Sequence, residues 1–145
     1  MPEFYVSTPK NQIAQQVSML INTHNKLYKE HGIHTIMSGK TDYFVEFEGG
    51  KVVGCAGVLK RFPNMSEIRH VCVDTPYRSK GIASKLVNLA IANCGTELVY
   101  MTIRDDNVPS LKMASSLGFV FVKKHWSIDH FVITVGRRQD HGSRV

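Results

Sequence analysis

The residue types best suited to chemistry gather between Glu67 and Ser84. The run Tyr77-Arg78-Ser79-Lys80-Gly81-Ile82-Ala83-Ser84 follows a β-like segment and leads into a helical one. A helix start offers unpaired N–H groups and the positive end of the helix dipole, and a glycine there lets a ligand approach the main chain, so such a junction suits an anion. Arg78, Lys80 and Lys85 add positive potential. The same features also describe a glycine in an ordinary turn with solvated basic neighbours. On the preceding β-like segment stand Glu67, His70 and Cys72. Histidine titrates nearest neutrality and so is a candidate base. Strand alternation would send Glu67, Arg69, Val71 and Val73 to one face and Ile68, His70 and Cys72 to the other, so that Glu67 and His70 would not serve the same proton. Cys72 could act as a nucleophile or, with His70, as a metal ligand. No third and fourth ligand stands at a recognisable spacing, so no metal is expected and Cys72 reads as a buried apolar cysteine.

Two phosphate motifs are excluded by inspection. Ser38-Gly39-Lys40-Thr41 looks like the end of a Walker A loop, but His34 stands where the first glycine belongs and a helical pattern precedes it. Gly81 has no glycine two residues before it or three after it, so the dinucleotide fingerprint fails as well. Nucleotide hydrolysis and hydride transfer lose their main support.

The elements that must position these residues follow from periodicity and turn chemistry. Residues 3–7 read as a strand. Ser7 or Thr8 with Pro9 can start a helix, whose apolar face (Ile13, Val17, Leu20, Ile21, Leu27, Tyr28) runs to about His31, with Gly32 as its stop. Residues 43–48 and 51–60 flank Gly49-Gly50 as a hairpin, and Pro63-Asn64 turns the chain into a strand over 67–73. A helix opens at Gly81, a strand spans 97–103, and a short helix from Asn107 or Val108 to Ser116 closes at Gly118. Strands over 119–123 and 127–135 precede a polar tail expected to be loose. The order β-α-β-β-β-α-β-α-β-β implies an α/β (α+β) fold with a mixed sheet.

Composition is consistent with one folded domain over 1–138 and a tail over 139–145: 145 residues, 43% hydrophobic and 21% charged. A formal charge of +6 favours anionic ligands without choosing among them. The basic residues are dispersed and no nucleic-acid signature appears, so nucleic acid is not expected as a partner. Cys55, Cys72 and Cys94 are an odd number with no CxxC pair, which fits a reducing cytoplasm. Neither a leader at the N-terminus nor a membrane span is expected.

The segment Val71 to Ala83 resembles the acyl-CoA-binding motif of the GNAT superfamily of N-acetyltransferases, [Q/R]xxGx[G/A], which Arg78, Gly81 and Ala83 fill. A second family pattern, Asn followed eleven and twelve residues later by Gly-Phe, is met by Asn107 with Gly118-Phe119. The resemblance extends over residues 3–135. It implies a GNAT-like, mostly antiparallel mixed sheet with a splayed central strand pair, between whose strands the pantetheine arm of acetyl-CoA inserts. By the same analogy Val71, Cys72 and Val73 border the pantetheine, Arg78, Ser79, Lys80, Gly81, Ile82, Ala83 and Ser84 hold the pyrophosphate, and Asn107 and Ser110 touch the distal arm.

The implied reaction moves acetyl from acetyl-CoA to a primary amine of a small molecule or protein by direct attack, in a monomer or homodimer. Such a transfer needs a base for the amine and a proton for the departing thiolate. Glu67 lies six residues before Val73, where relatives resembling histone acetyltransferases carry a general-base glutamate. A partly apolar cleft would raise its proton affinity, while pairing with Arg69 at the surface would make it merely structural. His70 is the competing base. Many members carry a thiolate-protonating tyrosine seven residues after the helix asparagine, but here Ala114 stands there. Ser110, Ser115, Ser116, Tyr100 or water then becomes the donor, or the thiolate leaves unassisted. The alternative to catalysis is a silent acyl-CoA-binding or sensing module. The acceptor would be met by the first helix, its following loop and the late strands, which hold His31, His34, Tyr43, His125, Trp126 and His130.

Overall fold

A computed structural model of the protein describes residues 3–6, 11–24, 39–127 and 131–139. Seven strands form one sheet: β1 (Glu3–Val6), β2 (Asp42–Glu48), β3 (Lys51–Phe62), β4 (Met65–Val73), β5 (Leu98–Arg104), β6 (Val120–Trp126) and β7 (Phe131–Arg138). Among the described residues three helices accompany them, α1 (Asn11–His24), α2 (Ile82–Asn93) and α3 (Val108–Ser116), with a 3-10 turn over Thr75–Tyr77. The element order is the one expected. The cap at residues 7–9, the helical pattern beyond His24, the stop at Gly32, His31, His34 and His130 lie outside the described residues, as does the tail beyond Gln139.

The strand order is β1-β2-β3-β4-β5-β7-β6, and every neighbouring pair is antiparallel except β4 with β5. The two sheet faces support separate cores. On one face Ala14, Val17, Leu20 and Ile21 of α1 pack against Tyr43, Val45, Cys55 and Cys72. On the other, Leu86, Val87, Ala90 and Ile91 of α2 and Ala114 of α3 close over Phe44, Ala56, Ile68, Val99 and Met101. Apolar residues at three- and four-residue spacings on each helix supply those stripes.

Two expectations fail at the end of the chain. β6 continues through Lys124, His125 and Trp126, which read as a connection, and β7 continues through Gly136 to Arg138, which read as tail. β6 is an outer strand with Val120 65%, Phe121 63% and Val122 57% exposed, so no alternation marks its length. Gln139, assigned to the loose tail, donates its backbone N–H to Glu97 O at 2.7 Å and its side-chain amide to Thr96 O at 2.7 Å.

Two irregularities shape β4. Gly57 faces Arg69 and Cys55 faces Cys72, so Ala56 stands opposite both His70 and Val71 in a β-bulge. Lys60 faces Ser66 and Phe62 faces Met65, which makes Arg61 the extra residue of a second bulge on β3. Beside the first bulge a Cβ on Gly57 would lie 2.7 Å from Thr41 Cγ2, 3.1 Å from Arg69 O and 3.2 Å from the Tyr43 ring. Gly57→Ala should therefore lower the unfolding free energy by about 1–3 kcal/mol through overpacking. Urea denaturation followed by far-UV circular dichroism checks this, and an unchanged midpoint would show that the neighbours yield freely.

Candidate active site

The turn after β4 enters α2 through two left-handed residues. Ser79 has φ 63° and Gly81 φ 80°, ψ 8°, and Gly81 caps α2 with no side-chain bond. Alternating left-handed residues of this kind draw successive N–H groups into a concave nest for an anion. A Cβ at Gly81 would meet nothing within 4 Å, so the space before the nest is open. Ile82, Ala83 and Ser84 form the half-buried first turn of α2. Lys80 lies 5.8 Å over the Tyr77 ring, whereas Lys85, expected to reinforce the loop's charge, reaches Glu46 of β2 at 3.4 Å.

Arg78 ties this loop to the strand, its Nε donating to Val73 O at 2.9 Å. The Asp74 N–H donates to Val53 O on β3 at 2.8 Å. Backbone groups alternate sides along a strand, so Val73 and Val71 turn theirs away from β3, toward β5. Among the described residues no strand meets them there. Among the described residues the β4–β5 ladder consists of Met65 with Leu98, Ser66 with Val99 and Glu67 with Tyr100, after which the strands part. A buried hydrogen bond from Thr96 Oγ1 to Ser66 Oγ at 2.9 Å pins the closed end.

Glu67 stands at the fork itself and is nearly buried. Its expected surface partner, Arg69, is not the residue it meets. Arg61, re-aimed by its bulge, places Nη2 at 2.7 Å and Nε at 2.9 Å from Glu67 Oε1. Tyr100 pairs with Glu67 across the ladder, and burial, followed by the negative charge of Glu67, raises its hydroxyl above the usual tyrosine value, so it is protonated at neutral pH. Sequence reasoning missed Arg61, although the Pro63-Asn64 turn sets residues 61 and 67 on facing strands and contained that signal.

The bulge also overturns the expected division of faces. Ile68 and Val71, three residues apart, both join the α2 side of the core, while Cys72 joins the α1 side. His70 turns to the α1 side too, its Nδ1 lying 2.8 Å from the hydroxyl of Tyr43, with the rings stacked at 6.0 Å. Glu67, Arg69 and His70 consequently share one face. His70 is buried at φ 55°, a left-handed conformation that costs a non-glycine residue about 1–2 kcal/mol. Burial is the main cause that pushes the Tyr43 hydroxyl far up, which keeps it a neutral donor or acceptor.

Cys72 is buried with its sulfur 3.7 Å from that of Cys55, whose thiol is raised by this hydrogen bond and by burial. Beyond β5, Asn107 caps α3, its Oδ1 accepting from the Ser110 N–H at 3.3 Å. Ala114 is 1% exposed, inside the core cluster on the α2 side. Ser116 donates its hydroxyl to Met113 O. Tyr100 is thus the expected donor that the fold brings to the fork beside Glu67.

Residues 15–119 match the family model described as Acetyltransferase (GNAT) family. The mycothiol acetyltransferase of Corynebacterium glutamicum (strain R) is 27% identical over 88 residues, covering 59% of this chain and 30% of that protein. The N-alpha-acetyltransferase RimI of Mycobacterium tuberculosis is 34% identical over 74 residues, 49% of this chain and 47% of the relative. The chain thus spans less than half the length of these curated relatives in the matched regions. In overall shape it resembles the ribosomal-protein-alanine N-acetyltransferase of Brucella melitensis (TM-score 0.81, 16% identity, 96% of this chain and 100% of that one). It is similar too to yncA of Salmonella typhimurium, solved with acetyl-CoA (TM-score 0.79, 15% identity, 97% of this chain and 95% of that one). Loop, parted strands, helix order and family match agree, and the chain belongs to the GNAT family of acetyltransferases.

Proposed function

We propose that the chain is an acetyl-CoA-dependent N-acetyltransferase that passes acetyl to a primary amine by direct attack in a ternary complex. The observation that supports this most is the fork. A strand edge without a strand partner at Val71 and Val73 runs from the anion nest at Ser79–Gly81 toward the carboxylate of Glu67.

In this reading the nest and the start of α2 hold the pyrophosphate of coenzyme A, and the edge of β4 pairs with the pantetheine amides as a strand would. The thioester then reaches the bulge, where N–H groups outside the ladder can polarise its carbonyl. Glu67 takes the proton of the attacking amine, directly or through one water, and Arg61 fixes its carboxylate. Tyr100 donates a proton to the departing thiolate. His70, held by Tyr43, is the runner-up base now that the bulge sets it on the face of Glu67.

Three measurements test these roles. Gly81→Val places a β-branched side chain at φ 80° in front of the nest and should abolish the thermal stabilisation by coenzyme A. Unaltered coenzyme A affinity in the folded variant would remove the loop from the site. Glu67→Gln should lower single-turnover acetyl transfer by ~10²–10⁴ at neutral pH with little change in coenzyme A affinity. Retained turnover would pass the role to His70 or solvent. Tyr100→Phe should slow thiolate departure by a factor on the order of 10 or more, least for an acyl donor with a more acidic thiol. An effect independent of the leaving thiol would relieve Tyr100 of that role. Stabilisation by coenzyme A with no thiol release on a broad amine panel would instead favour a silent binding module.

A further inference from the structure

Arg69 is the charged group at the fork that the proposed chemistry does not use. It lies on β4 two residues beyond Glu67, opposite Gly57, and is half-buried. Its Nε is buried with no hydrogen-bond partner, and among the described residues no carboxylate lies within ion-pair distance of it. The one carboxylate at the fork is already engaged by Arg61. Ile68 packs into the α2 side of the core, so alternation sets Arg69, like Glu67, on the α1 side of the sheet.

Among the described residues, the charged side chains that β3 and β4 place beside Glu67 at the fork are Arg61 and Arg69, two cations to one anion, with Tyr43, Tyr100 and the imidazole of His70 nearby. A partly desolvated guanidinium without an anion is unfavourable, and a ligand that supplies one recovers charge-assisted hydrogen bonds. The excess positive charge also opposes a plain alkylammonium approaching Glu67. An acceptor carrying its own anion removes both difficulties. Two residues of strand separate the Cα atoms of Glu67 and Arg69 by about 6–7 Å, so amine and anion need only a few bonds between them. The planar fork of a guanidinium matches a carboxylate.

We infer that Arg69 binds a carboxylate of the acceptor, so that the substrate class is a primary amine with a carboxylate a few bonds away. This rests on the reading of the fork as an acetyl-transfer site. Two sources carry that chemistry: a free amino acid, and a peptide whose first residue is acidic.

The test compares matched pairs that differ only in the anion. These are L-alanine against L-alaninamide, and a C-terminally amidated peptide beginning with Asp against the same peptide beginning with Asn. Each is assayed by thiol release from acetyl-CoA and by calorimetric titration into the coenzyme A complex. The wild-type protein should favour the anionic member of at least one pair by on the order of tenfold or more, and the pair that does so identifies the source. In Arg69→Gln the ratio should fall toward one through KM rather than kcat, while Arg69→Lys should keep part of it. Circular dichroism confirms that both variants fold. Equal binding and turnover within both pairs, or a preference that survives Arg69→Gln, would overturn the inference. Failure of coenzyme A to bind would instead overturn the acetyl-transfer reading, so the two failures are distinguishable.

Discussion

The site depends on one parallel ladder that stops after three residue pairs. Had β4 and β5 stayed paired, the backbone groups of Val71 and Val73 would be consumed within the sheet and no edge would remain for an extended ligand. The strands can part because each is supported from its other side, β4 by β3 and β5 by β7, so neither relies on the ladder between them. Ser66 and Thr96 lock the closed end, and the α2 and α3 side chains seal one face of the sheet below the opening. An unpaired strand edge inside a sheet is costly unless something else bonds it, which is the physical reason to expect a peptide-like ligand there.

Two bulges set the side chains at this opening. The one at His70 and Val71 shifts the phase of β4, so that residues before and after it present side chains to the same face. His70 joins Glu67 and Arg69 there through this irregularity alone. The bulge at Arg61 swings a guanidinium onto Glu67, which fixes the carboxylate at the fork. Local backbone strain at His70 is retained because cores on both faces and a buried bond to Tyr43 over-determine its position. The anion nest lies beyond the other end of the same strand, and Arg78 links the two through the carbonyl of Val73.

Much of this architecture was legible in the sequence, and the parts that were not share a cause. Helical stripes on α1, α2 and α3, the Gly49-Gly50 hairpin and the junction at Gly81 all carry local signals, and their elements fall where periodicity puts them. The bulge has none: Arg69-His70-Val71 holds no glycine, so strict alternation assigned His70 to the wrong face. β6 was drawn too short because an outer strand exposed on both sides shows no period, and Lys123-Lys124 resembled a turn. The burial of Ala114 has no local signal either, because it depends on α2 and β5 rather than on its own neighbours in sequence. Arg61 follows from hairpin register, a signal present but unread.

The most direct measurement of the central claim is amide hydrogen exchange at Val71 and Val73, resolved by NMR, with and without saturating coenzyme A. If the edge of β4 receives the pantetheine arm, exchange at these two amides should slow on binding, together with the amides around Gly81. Slowing at the Gly81 loop with unchanged exchange at Val71 and Val73 would contradict the account, because the ligand would then be held by its phosphates alone and the parted strands would have another purpose.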